Sequence, residues 1–322
     1  MKVKFVNRVQ ELNYLRKLAE EGFYPTLYIY GPEGCGKTRL LKELYNRLQK
    51  SKDTYIIYVD ATAREGRIED IVLSNIKILP IIEEAISKIT PIGKAIALAI
   101  PHITRRLIEK YSIKGKHIVI IVDDIAKPLG INEIELYAKN LLNLIEYCLD
   151  KGAKSCLIIA STSEGISRSI LLKHNYTSIE TLWNLPREAH DELALQLKAP
   201  KQILEELWYN TGGNPRAIIE LKYRRWNIKD WLEKYVKRKI RELLKHLSDE
   251  ERSQLEETLE NIDKVAKYRT LQTKLLDYNL ISPIDRPCLG YTPPVDPELG
   301  IGEYYAWQIP AYKHTLTEII GK

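Results

Sequence analysis

One methionine and two phenylalanines are all that this chain of 322 residues contains of either type, while tyrosine occurs twenty times. Cysteine is also scarce. The four residues, Cys35, Cys148, Cys156 and Cys288, form no C-x-x-C pair and join no histidine at zinc-ligand spacing. That excludes a disulfide scaffold and a structural zinc module, and it suits a reducing, cytoplasmic setting. No apolar run is long and clean enough for a membrane span. The best candidate, residues 76–103, carries two Glu, three Lys and three Pro, and reads instead as two or three buried helices. The opening MKVKFVNRVQ has charges but no apolar h-region, so it does not read as a signal peptide. Neither sign of charge dominates: 49 Lys and Arg against 43 Asp and Glu leave a net charge of +6. So mild a basicity permits a nucleic-acid partner without requiring one. Few thermolabile side chains and many charged ones (29% of the chain) suggest a thermophilic source.

What is present is a strand–helix alternation. An amphipathic helix is expected over 9–21, with Leu12, Leu15 and Leu18 on one side. The apolar runs TLYIY (26–30), TYIIYVD (54–60), HIVIIVDD (117–124), SCLIIASTS (155–163) and TSIETLWNL (177–185) read as strands. Helices are expected between them, over 38–50, in a long region from 67 to 112, and over 132–152. Continuous apolar strands alternating with helices predict an α/β fold, a mostly parallel sheet covered on both faces. From Pro186 the pattern is helical, and a Pro/Gly loop, the strand EYYAWQI and a last helix close the chain. This divides it into a core (1–185), a helical lid (186–227) and a winged-helix domain (228–322).

Four segments carry chemistry. Gly31-Pro32-Glu33-Gly34-Cys35-Gly36-Lys37-Thr38 matches G-x-x-x-x-G-K-[ST] between a buried strand and a helix. Successive backbone N–H groups of such a loop point at phosphate oxygens, and glycine permits the angles this needs. Lys37 is expected on the β- and γ-phosphates and the Thr38 hydroxyl on Mg²⁺, with Arg39 beside them on the following helix. HIVIIVDD ends in two acids, where Asp123 is expected to hold Mg²⁺ and Asp124 to orient or deprotonate a water. CLIIASTSEG ends in hydroxyls. Thr162 is the first choice for a sensor of the γ-phosphate, then Ser161 or Ser163, and Arg168 reads either as an arginine finger or as a surface charge. TGGNPRAI reads as a helix boundary in which Asn214 caps and Pro215 opens a helix. It also reads as a lid segment with Pro215 against nucleotide and Arg216 over the γ-phosphate.

The order FVNRVQEL, phosphate loop, HIVIIVDD, TGGNPRAI resembles the archaeal ATPase family within the signal-transduction (STAND) ATPases related to AAA+ proteins, over about residues 5–225. The resemblance implies ATP and Mg²⁺ as ligands, adenine rather than guanine, and a C-terminal winged helix. It implies that Asn7 and Arg8 line the adenine side, that Pro215 senses nucleotide from the lid and that Arg216 is a sensor arginine. The chain departs from many AAA+ motors in having Asp124 where they carry Glu. A slow ATP-hydrolysing conformational switch is therefore expected, passing between ATP- and ADP-bound forms and engaging a protein partner. The alternative is a DNA-binding AAA+-type ATPase related to origin-recognition proteins. It would use Lys264, Lys267, Arg269, Lys274 and the basic run 234–243 on double-stranded DNA.

Overall fold

The computed structural model describes residues 3–63, 67–78, 80–82, 92–125, 131–163 and 165–321. Chain contacts divide it into two compact units. One comprises Val9–Tyr30 and Lys37–Glu180, and the other Met1–Arg8, Gly31–Gly36 and Thr181–Lys322. The short loop between Tyr30 and Lys37 thus groups with Thr181–Lys322, although the strand before it and the helix after it group with the first unit.

The first unit is a mixed α/β structure. Its strands are β1 (Thr26–Tyr30), β2 (Thr54–Asp60), β3 (Val72–Ser74), β4 (His117–Asp123), β5 (Ser155–Thr162) and β6 (Thr177–Thr181), in the order β3-β2-β4-β5-β1-β6. The pairs β2–β4, β4–β5 and β1–β5 are parallel. β1, β4 and β5 are buried along nearly their whole length, as strands covered on both faces must be. Helices α1 (Val9–Glu21), α2 (Lys37–Leu48), α3 (Ile68–Ile71), α4 (Ile92–Lys110), α5 (Ile131–Asp150) and α6 (Gly165–Leu171) accompany the sheet. Leu12, Leu15 and Leu18 of α1 are buried, as their spacing predicts. One expectation fails here. The region from 67 to 112 is not continuously helical, because β3 runs antiparallel to β2 within it, Val59 pairing with Val72. Three residues on a sheet edge are too few to impose a period of two on the sequence. The reading of 76–103 as buried helices rests partly on residues 79 and 83–91, which lie outside the described residues. Among the described residues no helix is long and apolar enough to cross a membrane.

The second unit is built from helices and one small sheet. α7 (Arg187–Gln196), α8 (Leu204–Thr211) and α9 (Pro215–Tyr223) come first. Then α10 (Ile228–Trp231) passes through a π-helical stretch, Leu232–Lys237, into α11 (Arg238–Lys245). α12 (Asp249–Glu260) opens with a capping box in which Ser248 and Glu251 satisfy each other's backbone N–H groups. α13 (Arg269–Asp277) follows a 3₁₀ turn, Ile262–Lys267. β7 (Ile281–Pro283) pairs antiparallel with β8 (Tyr305–Trp307), and α14 (Pro310–Ile320) ends the chain. β7 has no alternating pattern of its own, and its register depends on β8, more than twenty residues downstream. Trp231 and Trp307 are fully buried in this unit's core, beside Leu207, Ile240 and Leu271.

The turn into β8 hangs on one carboxylate. Asp263 accepts from the backbone N–H groups of Glu303, Tyr304 and Tyr305 at 2.7, 2.9 and 2.9 Å. Hydrogen bonds to a charged group are stronger than neutral ones, so Asp263→Ala is expected to cost about 2 kcal/mol of unfolding free energy. Chemical denaturation compared with the parent protein measures it, and a change below about 0.5 kcal/mol would show that water replaces the carboxylate at no loss.

Candidate functional site

β1 delivers the chain into the loop Gly31–Gly36, and α2 begins at Lys37. The strand–loop–helix setting expected around the glycines is therefore present. Gly34 (φ +84°) and Gly36 (φ +104°) occupy the left-handed region. At Gly34 space is closed as well: a Cβ there would lie 2.5 Å from Cβ of Arg216 and 2.9 Å from Oδ1 of Asn214. Within the loop the Cys35 N–H donates to Pro32 O at 3.2 Å. Cys35 is buried and is not in a disulfide. Lys37 is 8% exposed, whereas Thr38 and Arg39 are open to solvent.

Residues distant in sequence hold this loop. Arg8, 3% exposed, donates through Nη2 to Cys35 O at 3.1 Å and to Trp183 O at 2.6 Å. Asn7 and Arg8 both have positive φ (52° and 64°), and Asn7 Oδ1 accepts from the Arg8 N–H at 2.6 Å. Such a bond between neighbours helps an asparagine tolerate the left-handed region. Asn214 caps α9 by accepting from Ala217 N–H at 3.2 Å, and its amide donates to Glu33 O at 2.9 Å and to Asn184 Oδ1 at 3.0 Å. Asn184 in turn donates to Gln308 O at 2.9 Å, and Gln308 Oε1 accepts from the Glu33 N–H at 2.9 Å. Arg216 reaches the loop twice. Its N–H donates to Gly34 O at 3.3 Å, and its guanidinium pairs with the Glu33 carboxylate at 2.7 Å. Pro215 starts α9 with its ring facing Gly36. Of these residues Asn184 and Gln308 escaped the sequence reading. Each is a buried amide inside an otherwise apolar run, the one signal that marked it, since a buried amide needs partners.

A second group lies at the C-terminal ends of β4 and β5. Asp123 is 2% exposed, and its carboxylate accepts from Tyr58 OH at 2.7 Å and from Ser161 Oγ at 2.5 Å. Burial first, and then the negative charge of Asp123, push the Tyr58 phenol well above its ordinary pKa. It therefore remains a donor at any working pH. Asp124 leaves the strand with φ +56° and donates its N–H to Ser161 Oγ at 2.9 Å; Ser163 Oγ lies 3.5 Å from its carboxylate. Thr162 is buried at the end of β5, in register with Tyr30, the last residue before the loop. Arg168 on α6 lies over the Tyr30 ring at 5.7 Å.

Thr38 and Asp123 offer only hard oxygen donors, a hydroxyl and a carboxylate. The Asp123 carboxylate is already oriented by two hydroxyls and keeps lone pairs free. That donor chemistry fits Mg²⁺, which takes one or two protein ligands and otherwise keeps water or substrate phosphates.

A family of ATPase domains found predominantly in Archaea matches residues 5–221. An uncharacterized ATP-binding protein of Pyrococcus horikoshii is 24% identical over 290 residues, spanning 80% of this chain and 88% of that protein. An uncharacterized ATP-binding protein of Methanocaldococcus jannaschii is 34% identical over 58 residues, 18% of this chain and 16% of that one. Among solved structures, CDC6P of Pyrobaculum aerophilum superposes with a TM-score of 0.41 at 15% identity, covering 98% of this chain and 94% of its own. Drosophila ORC bound to DNA gives 0.44 at 12%, covering 97% and 87%.

Proposed function

Because the chain belongs to the family of ATPase domains found predominantly in Archaea, we propose that it binds Mg²⁺-ATP at the loop Gly31–Thr38 and hydrolyses it slowly as a conformational switch of the STAND type. The observation that carries this reading is the double grip of Arg216 on the loop, through its backbone on Gly34 and through its side chain on Glu33. A ligand shifts an equilibrium only through contacts that differ between states. Arg216 supplies such a contact: its guanidinium is held by a loop carboxylate, and an incoming γ-phosphate competes for it.

In this reading the loop glycines face the phosphates with Pro32, Glu33 and Cys35 shaping the loop around them, the Glu33 and Cys35 N–H groups being held by Gln308 and Pro32; Lys37 neutralises the phosphates, and Thr38 and Asp123 hold Mg²⁺, with Arg39 alongside. Bound Mg²⁺ would add positive charge at the phosphates. Asp124 orients the attacking water, Thr162 senses the terminal phosphate, and Asn7 and Arg8 line the adenine side. Residues 186–227 serve as a lid. The helices, the β7–β8 pair and the last helix over 228–322 form a winged-helix domain that engages a protein partner. A cytoplasmic location and a thermophilic source fit the composition.

DNA binding through 228–322 is the less favoured reading. Lys274 pairs with Glu251 at 2.7 Å, and Lys264 pairs with Glu260 and Glu257. In the second basic run Lys234, Lys237 and Arg241 pair with Asp230, Glu233 and Glu318. Cations already paired within the chain release fewer counterions on a phosphate backbone. Lys267 and Arg269 are exposed. ATP turnover at high temperature, with and without duplex DNA across a salt series, tests both readings. Slow turnover indifferent to DNA is expected. Stimulation by DNA that disappears as salt rises would favour the DNA-associated ATPase, and no turnover under any condition would remove hydrolysis.

A further inference from the structure

Beside the Arg216–Glu33 pair lies a cavity of about 200 Å³, lined among others by Glu220, Trp231, Tyr235, Lys239 and Tyr312. Lys239 enters from α11, two residues after the π-helical stretch that brings Tyr235 and Val236 to the same wall. Its ammonium contacts Tyr312 OH at 3.3 Å and Asn279 O at 3.4 Å and lies 5.0 Å from the centre of the Tyr312 ring. Among the described residues no carboxylate forms an ion pair with it. Two carboxylates nevertheless line the same cavity. Glu220 accepts from the Trp231 indole at 3.0 Å, and Glu33 is held by Arg216 at 2.7 Å. Burial lowers the Lys239 pKa, Arg216 lowers it further, and Glu33 and Glu220 oppose that shift. A partly buried ammonium without a counter-ion is an unfavourable arrangement that an arriving carboxylate relieves.

We propose that Lys239 determines the preference for a nucleoside triphosphate over a diphosphate, by receiving the Glu33 carboxylate when a terminal phosphate takes Arg216 away from it. Resting on the ATP reading above, this deepens it. The exchange leaves no charge unpaired. In the resting protein Arg216 pairs with Glu33 and Lys239 waits; with triphosphate Arg216 pairs with phosphate and Glu33 with Lys239. A diphosphate has no γ-phosphate for Arg216, so the resting pairing stands. Lys239 is a positioning residue here, acting through Glu33 and touching no nucleotide. The same exchange ties nucleotide state to α11 and so to residues 228–322.

Equilibrium binding of ADP and of a non-hydrolysable ATP analogue, both with Mg²⁺, to the full chain tests it. Lys239→Gln keeps polar contacts to Tyr312 and Asn279 but removes the charge. It is expected to weaken the analogue about fivefold, within the range of couplings measured between contacting groups, and to leave ADP within about twofold. Lys239→Arg restores the preference, and in a Glu33→Gln background the change at 239 has no further effect on the analogue. Lys239→Met gives the same reading should Lys239→Gln not fold. Equal losses for both nucleotides, or none for the analogue, overturn the exchange while leaving the ATP reading intact. A parent protein that binds neither nucleotide overturns the ATP reading and the exchange with it.

Discussion

Lys37→Ala is expected to lose nucleotide affinity by about a hundredfold or more, and turnover with it. Lys37 is the first residue of α2, with its side chain almost entirely out of water. In the proposed ATP reading a compact cation at that point meets the β- and γ-phosphates, which carry the largest negative charge of the ligand. A hydrogen bond between charged partners contributes up to about 3 kcal/mol, and 1.4 kcal/mol is tenfold in affinity. Thermal unfolding that shows the variant still folds assigns the loss to the missing side chain at this site. Affinity and turnover like the parent's would remove the loop Gly31–Thr38 from nucleotide binding.

Asp124→Asn is expected to separate binding from chemistry. Nucleotide affinity stays within about threefold, and turnover falls by about a hundredfold to ten-thousandfold, the contribution of a positioned general base. The backbone makes this a clean substitution. Asp124 sits at φ +56°, a region that Asn enters as readily as Asp. Its N–H bond to Ser161 is a main-chain bond that the substitution does not touch. Asparagine keeps the shape and removes the negative charge, and with it the ability to take a proton. Single-turnover hydrolysis with saturating ATP measures it, and an unchanged rate would show that another group prepares the water.

Much of this arrangement is legible in the chain itself. The run TLYIY, apolar after its first residue and closed by Gly31, predicts a buried strand, and β1 covers the same residues. The leucine spacing of 9–21 predicts the helix found there. The run HIVIIVDD predicts a strand with acids at its end. β4 stops at Asp123, one residue short of the expected end at 124, because Asp124 turns into the left-handed region. These features are local: a period of two or 3.6, or a glycine at a turn, is written in consecutive residues. β3 and β7 are not legible, because each is a three-residue strand whose place depends on its partner.

The sequence by itself determined the α/β alternation, the phosphate-type loop and the acids at the end of β4, because short-range sterics and hydrophobic periodicity act between near neighbours. Only the tertiary structure decided what closes on that loop. Gln308 meets Glu33 across 275 residues, Asn214 and Arg216 across more than 180, and Lys239 turns toward the same cavity. No local pattern encodes those meetings. They follow from how the helices after residue 186 pack around Trp231 and Trp307, and from the need of buried amides and charges to find partners wherever that packing leaves them.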